Sequence, residues 1–144
     1  MRKYLLPVAA ASLAAIASSS YAAQTSDNFQ ARITIVTSCI VTAADLDFGN
    51  VGVIVGGETA TAAVNVNCSA GTPYSLSFSA PPAPLVTAYT GTMVNGLEDV
   101  AYSAALSGIG GIGPGAFTIN GLLPAQVTPT AAIYTDNRVL YLNY

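Results

Sequence analysis

The sequence predicts an all-β protein, an antiparallel β-sandwich of six or seven short strands closed by one disulfide. Three observations carry this expectation. Apolar and polar residues alternate in short runs, which puts each apolar set on one face of a sheet. Gly, Pro, Asn and Asp break those runs every few residues, and past the N-terminal apolar stretch no long segment has helical periodicity. The chain also carries two cysteines, Cys39 and Cys68, behind what reads as an export signal.

That signal comes first. Arg2 and Lys3 form a basic start, Tyr4 through Ala17 is apolar, and small residues follow to Ser20-Tyr21-Ala22. The pattern is that of a cleaved secretory signal peptide over residues 1–22, cut after Ala22 or, as the alternative, Ala23. The apolar run is too short to span a bilayer. Export favours oxidation, so Cys39 and Cys68 are expected to pair. Closing a loop of about 30 residues contributes about 3.6 kcal/mol in the chain-entropy picture.

The mature chain of about 120 residues is enough for one modest core. Its first strand candidate follows a polar leader, Gln24–Asn28: Phe29, Ala31, Ile33 and Ile35 alternate with Gln30, Arg32 and Thr34. Asp47-Phe48-Gly49 reads as a strand end and turn. Next come Val64, Val66 and Cys68 around Asn65 and Asn67, then Tyr74, Leu76 and Phe78 around Ser75 and Ser77. Pro81, Pro82 and Pro84 mark a loop or sheet edge. Strands are expected around Val100–Leu106, Gly115–Ile119 and Val127–Tyr134, with Gly108 through Gly115 as a loop. The last alternation, Leu140, Leu142 and Tyr144, is read as a strand with a free edge. Either the N-terminal strand pairs within its own chain, or it completes the sandwich of another copy by strand addition. The alternation alone leaves both open.

Charge excludes several functions. Once the signal is removed, Arg32 and Arg138 are the only cations against seven acids, so there is no basic patch for nucleic acid. Charged residues are 8% of the chain; so apolar a surface suits a protein that ends up against other protein. There is no histidine, which removes the commonest general base and zinc ligand. Gly108-Ile109-Gly110-Gly111-Ile112-Gly113 spells a dinucleotide fingerprint, but Pro114-Gly115 follows where a helix must begin. Asp47-Phe48-Gly49 spells a kinase triplet without the rest of that machinery. Asp45 and Asp47 lack calcium-loop spacing. Glu98 and Asp99 are adjacent on a strand and point to opposite faces, which spoils a hydrolytic pair. Asn67-Cys68-Ser69 fits a glycosylation pattern, but its Cys is assigned to the disulfide. No catalytic residue, metal, cofactor, nucleic acid or small-molecule substrate is expected.

The order and spacing of several segments resembles the spore coat protein U family, which includes the pilin subunits of archaic chaperone–usher pili. The segments are Phe29-Gln30-Ala31 leading to Cys39, Leu46-Asp47-Phe48-Gly49, Val64-Asn65-Val66-Asn67-Cys68, Pro73-Tyr74-Ser75-Leu76, Tyr102 with Leu106, and Tyr134-Thr135-Asp136 followed by Val139–Tyr144. The chain departs from the family pattern at Ala132, where a Gly is usual, at Arg138, where an apolar residue is usual, and at Thr92, which precedes Met93 where an Arg is frequent.

The resemblance implies an incomplete immunoglobulin-like sandwich that lacks its final strand. Residues 1–22 are then the signal peptide, 23–36 an N-terminal donor-strand extension and 37–144 the pilin-type domain. Phe29, Ala31, Ile33 and Ile35 become donor residues for a neighbour. Leu140, Leu142 and Tyr144 border the acceptor groove, and Cys39–Cys68 ties the first two core strands. The implied partners are a periplasmic chaperone, an outer-membrane usher, and other copies or sister pilins. The implied role is a structural subunit of a surface fibre in adhesion, biofilm or coat formation, in a shaft or adaptor position given the chain's length. A stand-alone secreted β-sandwich, acting as a binding module or coat component, is the alternative.

Overall fold

The computed structural model describes residues 24–144, so the signal-peptide expectation for residues 1–22 lies outside the described residues. The chain divides into two units between Ile33 and Thr34. In the first, residues 24–33 carry no strand, and Phe29 and Ile33 are exposed.

The regular elements of the second unit are all strands. In chain order they are β1 (Cys39–Ala43), β2 (Glu58–Cys68), β3 (Pro73–Ser77), β4 (Ala88–Asn95), β5 (Glu98–Leu106), β6 (Gly110–Ile112), β7 (Gly115–Leu123) and β8 (Tyr141–Asn143). They form a five-stranded sheet, β1-β2-β7-β5-β4, and a three-stranded sheet, β6-β3-β8. Every pairing is antiparallel. Among the described residues, no helix is long and apolar enough to cross a membrane.

β2 shows why alternation works here. Ala60, Ala62, Val64, Val66 and Cys68 are buried, and the residues between them are exposed. The unit has two core clusters, and that face enters the first. One gathers Val64, Val66, Cys68, Tyr74 and Leu76 between the sheets, with Leu140 and Leu142 against it. The other gathers Ile54, Val100, Tyr102, Ala104 and Leu123, with Phe48, Met93 and Tyr134 against it. Cys39 stands directly opposite Cys68 in the β1–β2 register and is disulfide-bonded to it, as expected.

Several local expectations need correction. Phe29–Ile35 is not a strand in this structure, because alternation specifies a face but not a hydrogen-bonded partner. Val127–Tyr134 is not a strand either; only Thr135, just beyond it, makes an isolated bridge, to Val94 of β4. The Gly108–Gly115 stretch is not all loop, since β6 runs through it and pairs with β3. β4 was hidden by its composition, Ala-Tyr-Thr-Gly-Thr-Met-Val-Asn, in which small and polar residues outnumber large apolar ones.

Candidate functional site

Two segments without regular ladders cross the unit. Residues 44–54 leave β1 and run over one face of the large sheet. Residues 124–140 leave β7 and return to β8. Between them lies an open groove of two adjoining chambers, about 540 and 570 Å³. Leu46, Phe48, Met93, Ile133 and Tyr134 line both chambers, so the groove is continuous.

The floor comes from the large sheet. Met93, Val100 and Leu123 lie under the first chamber; Met93, Tyr102 and Ile119 lie under the second. Phe48 meets Tyr102 edge to face, with ring centroids 6.2 Å apart. The turn that delivers Phe48 is closed by Asp47, whose Oδ1 accepts the Gly49 N–H at 2.7 Å while Gly49 takes φ +70°. The kinase-like triplet is therefore an aspartate-capped turn.

The second wall is tied to the large sheet by side chains. Gln126 receives the Ala101 N–H and donates to the Ala101 carbonyl, both at 2.8 Å, substituting for a neighbouring strand. Thr128 Oγ1 accepts the Ile54 N–H at 2.8 Å and joins the two walls. The Glu98 carboxylate accepts from the Thr130 backbone, the Thr130 hydroxyl and the Tyr134 hydroxyl. Those hydroxyl bonds hold its pKa below the usual carboxylate range. Asn95 donates to the Ile133 carbonyl at 3.0 Å.

Further along, Tyr102 donates to Asp136 Oδ2 at 2.8 Å, so the 3.0 Å contact with the Tyr89 hydroxyl must be donated by Tyr89. Burial first, then Tyr89 and Asp136, push the Tyr102 phenol well above its ordinary value. Arg138 closes the cluster. Its Nε lies 2.8 Å from Asp136 Oδ2, and its guanidinium sits 5.2 Å from the Tyr89 ring centroid.

A family model, the Spore Coat Protein U domain, matches residues 25–104. The chain belongs to that family. The part matched as a spore coat protein U domain begins in the leader ahead of Phe29 and runs through both cysteines and most of β5. The wall segment and β8 lie beyond it. No curated protein and no solved structure matches the chain.

Within this spore coat protein U domain chain, Phe29, Ile33 and Ile35 are exposed at 92, 84 and 79%, and Ala31 is exposed too. Leu140 lines the second chamber. Leu142 packs against the inter-sheet core, and Tyr144 is exposed. The sequence reading missed Phe48, on the crossing segment, and Met93, on the floor, as groove formers. It also gave no role to Glu98 beyond excluding it from a catalytic pair. The signal present was the Tyr134-Thr135-Asp136 spacing, which puts two polar side chains on one face of an extended segment.

Proposed function

We propose that this chain is a non-enzymatic structural subunit of an exported surface fibre, of the archaic chaperone–usher pilus type, joined by donor-strand exchange. The observation that carries the reading is a complementary pair: an exposed alternating leader, Phe29, Ala31, Ile33 and Ile35, and an open groove whose floor, Met93, Val100, Tyr102, Ile119 and Leu123, is apolar or aromatic. In this reading residues 1–22 are the signal peptide, 23–36 the donor extension and 37–144 the acceptor domain. A periplasmic chaperone occupies the groove first; at the outer-membrane usher, the leader of another copy or sister subunit replaces it. The fibre then serves adhesion, biofilm or coat formation. Membership of the spore coat protein U family supports the reading, as does β8 standing at the end of its sheet, with Leu140 at the groove.

The opposing magnitudes are comparable. Burying Phe29, Ile33 and Ile35 in a neighbour is worth about 5–9 kcal/mol in all, at 1.5–3 kcal/mol per large side chain. Ordering the leader opposes this at about 1–2 kcal/mol per residue. Slow exchange is then as much a part of fibre persistence as equilibrium affinity.

The test is a deletion of Ala23–Ile35 behind an intact signal, expressed with the full chain. The deleted chain should fold, oxidise and accept a leader, but donate none, so it should cap fibres and shorten them. Fibres of ordinary length built from the deleted chain alone would refute the proposal. A soluble full-length monomer at high concentration would favour the stand-alone sandwich instead.

A further inference from the structure

We infer that Glu98 and Tyr102 are positioning residues for strand capture: they clip the groove's C-terminal wall to β5 through Tyr134 and Asp136, and so keep the groove open for an incoming strand. The inference rests on the donor-strand reading of the groove. It adds to that reading the device that shapes the acceptor before anything binds.

The wall is almost without ladder support. Over residues 124–140 its one bridge is Val94–Thr135, in which each residue donates its N–H to the other's carbonyl, at 2.9 and 3.3 Å. The bridge is antiparallel to β4, and β4 is antiparallel to β5, so the wall runs parallel to β5. Tyr134 therefore meets Glu98 and Asp136 meets Tyr102 in the same order along both chains. Residues two apart in extended backbone share a face, and Tyr134 and Asp136 use it together. On β5, Glu98, Val100 and Tyr102 also share a face, with Val100 on the groove floor between the two clips.

Two consequences follow for a strand that enters. Thr135 spends its backbone groups on β4. In extended backbone the N–H and C=O of Tyr134 and Asp136 then face the other way, away from β4, and are left free of it. These are the groups that strand addition uses. The side chains of the same two residues are bound to β5, which fixes how that edge is presented. A wall ordered in advance lowers the ordering cost of binding.

The test uses the full, disulfide-bonded chain and a fluorescent synthetic peptide of residues 24–36. The variants are Glu98→Ala combined with Tyr102→Phe, which opens both clips, and Glu98→Gln, which keeps an acceptor at the first. Two readouts are taken: amide exchange at Thr135, and the rate of peptide capture. In the double variant, Thr135 exchange should rise and capture should fall, each about tenfold or more, as expected for losing hydrogen bonds to a charged acceptor. Glu98→Gln, with Tyr102 intact, should keep most of both at the wild-type level. Faster exchange at Thr135 with capture unchanged overturns the inference and leaves the donor-strand reading standing. Unchanged exchange at Thr135 overturns it too. A wild-type chain that captures no peptide overturns the donor-strand reading, and this inference with it.

Discussion

Two glycines let aromatic rings approach the large sheet closely. A Cβ at Gly91 of β4 would sit 2.7 Å from the Tyr102 ring, its register partner on β5. A Cβ at Gly121 of β7 would sit 2.8 Å from both Leu46 and Phe48. Gly91→Ala should therefore lift Tyr102 away from β4 and strain its bond to Asp136. The expected cost is about 1–3 kcal/mol, the usual range for overpacking, read as a lower urea midpoint with an altered tyrosine near-ultraviolet signal. An unchanged midpoint would mean that the ring has room to move. Leu76 makes the opposite case. It is fully buried between the sheets, and Leu76→Ala should cost about 2–5 kcal/mol through the cavity it leaves, with the disulfide still formed. At this scale the sequence was a good guide wherever a residue's role was apolar burial. It was silent on the glycines, because close approach is a property of the neighbour.

Elements divide by what stabilises them. β2, β3 and β5 were legible because each buries its apolar residues at alternate positions, and period two records that burial; β7 was legible only over Gly115–Ile119, and its buried Gly121 and Leu123 lie beyond that stretch. The wall segment was misread as a strand over Val127–Tyr134 because its order comes from side chains elsewhere: Glu98, Asn95 and Gln126. No local pattern encodes such partners. Their chemistry does give a pH signature. Glu98 has a folded-state pKa below its unfolded value, which is about 4.3. Its contribution is therefore present above that unfolded value and lost as pH falls through the lower folded one. Amide exchange along residues 130–135 should rise relative to β2 as pH drops below about 4. Glu98→Gln should flatten that profile. A profile identical in wild type and variant would assign the acid response to another group. The leader alternation was legible too, yet it forms no strand over residues 24–38, since a strand is a paired element and the pattern does not name the partner.

For the whole molecule, the balance of core and groove sets the conditions under which it is stable. The inter-sheet cluster is closed by β1, β2, β3 and the disulfide, whereas the second cluster underlies an open groove. Removing the Cys39–Cys68 link by paired Cys→Ser substitution should cost about 3.6 kcal/mol by loss of chain constraint, a large part of the stability of a domain this size. The groove offers compensation of similar size. Any ligand that binds the folded state alone stabilises it by mass action, by about 2.7 kcal/mol at one hundred times its dissociation constant. A peptide of residues 24–36 should therefore raise the unfolding temperature of the chain in proportion to the logarithm of peptide concentration. It should also partly rescue the disulfide-free variant. A peptide carrying Ile33→Asp should do neither, because a carboxylate over the floor of Met93, Val100 and Leu123 loses its hydration, and Arg138, the cation along the groove, is already paired with Asp136. If both peptides stabilise the chain equally, binding is not through the alternating apolar face, and the complementarity between leader and groove is not what joins one copy to the next.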